Sequence, residues 1–156
     1  MARKKFPRTL IRYYMVRKIK LFIDTGAFVA LHNADDKNHS IAKKIFEDIA
    51  NQNTYSKLIT SDYIIDEAIT TCRVRTKRHD LSVKLGEAIL KSESILTLKI
   101  NDQVFIAAWD LYKKYKDLDL SFTDCTNVIL MRIYEITEIF SFDAQFDTFK
   151  FLRIPY

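Results

Sequence analysis

The chain has 156 residues, 48% of them hydrophobic, and a formal net charge of +5. No apolar run approaches the roughly 18 residues that span a bilayer, so a single water-soluble domain with a sizeable core is expected. There are only two glycines, Gly26 and Gly86, where average usage of roughly 7% would give about eleven. That scarcity excludes the all-β aspartic proteases, despite the tripeptide Asp24-Thr25-Gly26, because their turns and flap need glycine to reach positive φ.

In chain order, Lys20 to Asp24 reads as a short buried strand ending in a carboxylate. Asn38 to Gln52 carries Ile41, Ile45, Phe46 and Ile49 at helical spacing. Leu58 to Thr60 is a second strand, and Ser61 or Asp62 caps a helix that runs to about Lys77. A further helix covers Leu81 to Lys91, and Ile95 to Leu98 forms a third strand. Asp102 to Tyr115 is expected to be a helix with Phe105, Trp109 and Tyr112 toward the core. Ser121 opens a helix to about Tyr134, Thr137 to Phe140 is a fourth strand, and Phe151 to Ile154 adds an edge strand. Such alternation argues for an α/β fold with a parallel sheet. Cys72 and Cys125 lack CxxC or metal-type spacing and read as buried thiols in a reducing cytosol. His32, His39 and His79 are dispersed and are not proposed as ligands.

Open parallel sheets bind ligands at the carboxyl ends of their strands. Asp24 follows the first strand and Asp143 the fourth, while Glu67 and Asp124 stand near helix starts, so all four acids can converge on one edge. Convergent carboxylates repel, and a hard cation such as Mg2+ or Mn2+ is the usual resolution. Each acid also has an ordinary role open to it. Asp24 can cap a helix beginning near Ala27, Asp124 has capping-box spacing from Ser121, Asp143 can be a turn residue, and Glu67 can sit on a solvated face. Between the neighbours Asp66 and Glu67, Asp66 shares a charged stripe with Thr70, Arg73 and Lys77. Glu67 lies with Thr71 and Val74 and is the better candidate for a cleft. Asn127, one turn beyond Asp124, can bond a carboxylate or an ion-held water, or be a plain exposed amide.

On the segments "LFIDTGAFVAL", "ITSDYIIDEAIT", "LSFTDCTNVILM" and "IFSFDAQFD", the chain resembles the PIN domain family, metal-dependent ribonucleases that include the VapC toxins of toxin-antitoxin pairs. The resemblance runs from about Lys20 to Ile154. It implies a three-layer α/β/α sandwich around a mainly parallel sheet and a site in which Asp24, Glu67, Asp124 and Asp143 hold Mg2+ or Mn2+. Single-stranded RNA is the implied substrate, Thr25 and Thr123 are supporting hydroxyls, and a small antitoxin protein and a homodimer are implied partners. A cytoplasmic enzyme follows from the same resemblance. An RNA-processing nuclease without an antitoxin, and an inert RNA- or protein-binding module, are the alternatives; the presence of all four acids favours activity. A haloacid dehalogenase phosphatase needs a second Asp two positions after the first, where this chain has Gly26.

Charge is unevenly placed. The first twenty residues hold eight basic residues and no acid, leaving 17 basic against 20 acidic residues beyond, a formal −3. Residues 1–20 therefore read as a basic extension preceding a nuclease domain over 21–156. The extension can bind phosphate backbones, be a solvated tail, or precede a natural start at Met15; it lacks the apolar stretch of a secretory signal. A second basic group, Arg73, Arg75, Lys77 and Arg78, shares a helix with Glu67 and either guides RNA toward the acids or complements the helix end.

Overall fold

The computed structural model describes residues 19–52 and 54–156. The roles suggested for the basic opening segment and for Met15 thus fall outside the described residues, although Ile19 and Lys20 already belong to the first strand. Five strands form one sheet: β1 (Ile19–Ile23), β2 (Tyr55–Ser61), β3 (Ile95–Leu98), β4 (Glu138–Phe140) and β5 (Leu152–Ile154). Their order is β3-β2-β1-β4-β5, and every pairing is parallel. The helices between them are α1 (Thr25–His32), α2 (His39–Gln52), α3 (Asp62–Thr76), α4 (His79–Leu90), α5 (Asp102–Lys114) and α6 (Phe122–Ile133), and a 3-10 helix spans Ala144–Phe149.

The layering follows from chain direction. The steps β1 to β2 and β2 to β3 move the same way across the sheet, so right-handed crossovers place α1 to α4 on one face. The step β3 to β4 moves back past β2 and β1, which puts α5 and α6 on the other. The expected three-layer sandwich results. Leu21, Phe22 and Ile23 of the central strand are fully buried because both faces are covered. The chain reverses its direction of winding between β1 and β4, and that switch point is where a crevice opens in such sheets.

Local signals set the helix ends. Of the two candidate caps before α3, Ser61 is the one used: its hydroxyl accepts the Ile64 amide at 3.1 Å. Glycine matters at Gly86, where a Cβ would stand 2.9 Å from Ile69 Cδ1, so any larger residue there would make the Ile69 side chain shift between α3 and α4. Cys72 and Cys125 are free and buried, as expected, and burial pushes the Cys125 thiol up to about 11.

One expectation is overturned. Phe105, Trp109 and Tyr112 do not point to the core; they are 46%, 49% and 44% exposed. The core side of α5 is the neighbouring stripe Val104, Ala108 and Leu111. Small Ala108 lets α5 approach its neighbours, and the bulky rings are turned outward to pack on one another and on Phe122, with Phe105 and Phe122 at 5.0 Å and Trp109 and Tyr112 stacked at 5.8 Å.

Candidate metal centre

Asp24 is the residue after β1 and stands at the N-cap position of α1, yet its side chain makes no cap bond. The helix starts at Thr25, and the Asp24 amide instead extends the sheet by donating to Phe140 O at 3.0 Å. The carboxylate is 6% exposed; Oδ2 accepts the Ser141 hydroxyl at 2.7 Å, and Oδ1 has no hydrogen-bond partner among the described residues. Burial, then the charge of Asp124, push its pKa to about 7 against the opposing bond from Ser141, with Glu67 adding to the rise. A buried carboxylate with one bare oxygen and like charges for neighbours is costly unless something positive reaches it.

The other three acids reach the same end of the sheet from different elements. Glu67 lies on the second turn of α3, half-buried, and accepts a hydrogen bond from the Thr25 hydroxyl through Oε2. Asp66 is exposed, in line with the helical argument that separated the two. Val74, two turns beyond Glu67, is 57% exposed and lines a groove between α3 and α4. Asp124 does form the capping box of α6: Oδ2 accepts the Ser121 amide at 2.8 Å, and the Asp124 amide donates to the Ser121 hydroxyl at 3.0 Å. Its pKa is nonetheless pushed up to about 6, by burial first and by the charges of Glu67 and Asp143, against the Ser121 hydrogen bonds. Asp143 follows β4, caps the 3-10 helix by accepting the Gln145 amide at 2.9 Å, and lines one cleft with Asp24. The structural roles anticipated for Asp124 and Asp143 are therefore real, and each of the four acids has one oxygen tied to its own scaffold.

Asn127 is fully buried, not exposed, and neither end of its amide has a hydrogen-bond partner among the described residues. Buried amides are almost always bonded, so this orphan one turn beyond Asp124 needs an explanation. Thr123 is half-buried, and its carbonyl accepts the Thr126 hydroxyl at 2.7 Å. Sequence reasoning missed Ser141, two residues before Asp143 in the same segment, whose hydroxyl both holds Asp24 and accepts the Asp143 amide at 3.0 Å. It also missed Asp36 and Lys37, which share the Asp24 cleft.

Of the basic group on α3, Arg75 lines that cleft, of about 370 Å³. The others turn elsewhere: Arg73 donates to the Lys77 carbonyl, Lys77 forms the left-handed cap of α3, and Arg78 pairs with Asp80 at 2.7 Å.

Among the described residues, no group of three or more His, Cys, Asp or Glu side chains is disposed to hold a metal ion as it stands. The donor chemistry nevertheless fits a hard divalent cation: carboxylates that raise one another's pKa, and a buried Oδ1 left bare on the most buried of them. One oxygen of each acid is held by a local donor. Among the described residues no helix is long and apolar enough to cross a membrane.

Comparison with known proteins bears on the fold and the family. VapC20 of Mycobacterium tuberculosis, a 23S rRNA-specific endonuclease, is 25% identical over 138 residues, covering 86% of this chain and 97% of VapC20. The crystal structure of VapC20, described as a Sarcin-Ricin loop cleaving toxin, superposes with a TM-score of 0.76 at 24% identity over 85% of this chain and 96% of that one. VapBC2 from Rickettsia felis, bound to a DNA fragment from its promoter, shares the fold with a TM-score of 0.60 at 9% identity, over 86% of this chain and 97% of the matched chain. The model of the PIN domain family matches residues 21–152, most of the chain, and the protein is a member of that family.

Proposed function

We propose that this protein is a divalent-metal-dependent endoribonuclease that hydrolyses phosphodiester bonds of single-stranded RNA, and that it acts as the toxin of a toxin-antitoxin pair. The observation that carries the reading is the buried Asp24 at the switch point of the sheet, pushed to about 7 with one oxygen unpartnered and with Asp124 and Glu67 as its charged neighbours. Membership of the PIN domain family and the likeness to VapC20, a 23S rRNA-specific endonuclease, support it.

Asp24, Glu67, Asp124 and Asp143 would hold the ion, with Mg2+ or Mn2+ the fitting choices for an all-oxygen set. A bound divalent ion supplies Lewis acidity toward the phosphate and a lowered pKa for attacking water. The chain's own part is positional. Ser141 and Thr25 orient Asp24 and Glu67 by hydrogen bonds, the α6 capping box fixes Asp124, and Asn127 offers an amide to the carboxylates or to water beside them. Thr123 stands beside Asp124 as a further hydroxyl. The basic residues Arg73, Arg75, Lys77 and Arg78, and the extension over residues 1–20 ahead of a nuclease domain over 21–156, supply positive charge for RNA. A small antitoxin protein and a second copy of the chain are the partners that complete the proposal, in the cytoplasm.

The test is a titration of Mg2+ and Mn2+ against a panel of single-stranded RNAs. Wild-type protein should cleave only with added ion, and Asp24→Asn or Asp124→Asn should lose about a thousandfold in rate while keeping the wild-type circular dichroism spectrum. Ion-independent cleavage, or a folded mutant of near-normal activity, would overturn it.

A further inference from the structure

We propose that Arg75 and Lys37 form a phosphate seat across the cleft from the acids, and that Asp36 serves to position Arg75 and is not a further ligand of the ion. The inference rests on the nuclease reading above and assigns part of its substrate site.

The cleft is lined by charges of both signs, with Asp36 beside the two cations. Asp24 and Asp143 lie at the ends of β1 and β4, whereas Lys37 comes from the loop between α1 and α2 and Arg75 from the last part of α3. A polyanion drawn to bound cations needs its flanking phosphates neutralised as well, or the acidic rim repels them. Arg75 follows Glu67 by eight residues, which places it about 12 Å farther along the helix, within reach of a phosphate a few nucleotides from the acids. Glu67, Thr71 and Arg75 recur every four residues and so lie on one slowly turning line of α3.

Asp36 differs in kind from the four acids. Its Oδ1 accepts the Asn38 amide at 2.8 Å, and its Oδ2 stands 4.0 Å from Arg75 Nη1, a loose ion pair with no hydrogen bond. The loop that carries it is held by the Asp36 amide on Asn33 O at 3.0 Å, the His39 amide on Asp36 O at 2.9 Å, and the His39 ring against Ala30 O at 2.8 Å. Arg75 is 61% exposed and Asp36 only 14%. An exposed pair of this length contributes little, whereas a guanidinium meeting phosphate in two parallel bonds is charge-assisted and strong. Arg75 therefore stands next to Asp36 but is free to leave it for a phosphate, and a positioning role for Asp36 is the part of the proposal that the Asp36 variants test. Its neighbours are less free, since Arg78 already meets Asp80 through two nitrogens and Arg73 is bonded to its own helix end.

The experiment uses the full chain and a short fluorescein-labelled single-stranded RNA, with EDTA present to stop cleavage. Arg75→Ala should weaken binding about tenfold and lower the slope of log K against log salt by about 1, and Lys37→Ala should act likewise. Lys91→Ala, which removes an exposed cation on α4, should change neither. In cleavage assays Asp36→Asn should raise KM several-fold with kcat and the Mg2+ midpoint unchanged, and Asp36→Glu should restore KM. An unaltered salt slope in Arg75→Ala overturns the seat, and a tenfold shift of the Mg2+ midpoint in Asp36→Asn overturns the positioning role. Should wild-type protein fail to cleave any RNA while the Arg75 slope change persists, the nuclease reading falls and the phosphate seat stands.

Discussion

Two of the hollows among the described residues make a contrast, and the larger is the quieter. At the amino ends of β2 and β3 a space of about 630 Å³ is lined by Phe28, Leu31, Phe46, Ile49, Leu58 and Ile89, with the ring of His32 held toward its neutral form by burial. At the carboxyl ends of β1 and β4 the cleft of about 370 Å³ holds Asp24 and Asp143 facing Lys37 and Arg75. The first combines apolar side chains that a core leaves partly open with Lys57, Glu93 and several serines. The second keeps a carboxylate buried beside like charges, an arrangement that destabilises the fold and persists only where another requirement maintains it. Electrostatic frustration, more than volume, singles out this end of the sheet as the candidate site.

The largest test of that contrast is the pH dependence of stability. Asp24 is raised from 3.8 to about 7 and Asp124 to about 6, so the folded state holds protons that the unfolded chain has already lost. Their protonated forms contribute stability that is fully present below about pH 4 and is lost as pH rises through 6 and 7. In EDTA, the melting temperature should fall by several degrees from pH 4.5 to 8. Asp24→Asn should flatten much of that slope and melt higher than wild type at pH 8, and Mg2+ should raise the wild-type value at pH 8. A wild-type curve that is level or rising across this window would remove the distinction between the two ends.

Asn127 gives a smaller effect with a sharper sign. A buried amide with both ends unbonded costs roughly 1–3 kcal/mol, and leucine is close to it in volume. Asn127→Leu should therefore raise stability by about 1 kcal/mol in urea melts while cutting cleavage about tenfold or more. Lower stability in the variant would show that the amide serves the core and not the acids.

How far the amino-acid order discloses these features differs between scaffold and site. The strands were legible because Leu21-Phe22-Ile23 and Ile95 to Leu98 are short apolar runs flanked by breaks, and Ser61 and Ser121 mark helix starts chemically. The orientation of α5 was not, because Phe105, Trp109 and Tyr112 and the adjacent stripe Val104, Ala108 and Leu111 are both apolar at helical spacing. Which stripe turns inward depends on how closely neighbouring elements can approach, and the stripe that holds the smaller Val104 and Ala108 is the buried one. At the site, the four acids could be picked out by their places after strands and at helix starts. Asp36, Lys37 and Ser141 could not, since a loop acid, a loop lysine and a strand-end serine carry no periodic signal and matter only through what folding brings opposite them. Asn127 was placed correctly on α6, but its full burial depends on the helices packed around it.

The smallest expected effect lies at the other end. Ala88 is exposed on α4 at the rim of the larger hollow, beside buried Ile89. Leucine differs little from alanine in helix propensity, so Ala88→Leu perturbs mainly what its added carbons touch. Those carbons would cover part of the hollow's wall, for a gain of at most about 1 kcal/mol, at the end of the sheet away from the four acids. Chemical melts should show the small stabilisation, and cleavage of RNA should stay within about twofold of wild type. A tenfold change in cleavage would mean that the two ends of the sheet are mechanically linked, most directly through α1, whose first residue, Thr25, bonds Glu67 and whose last, His32, lines the larger hollow.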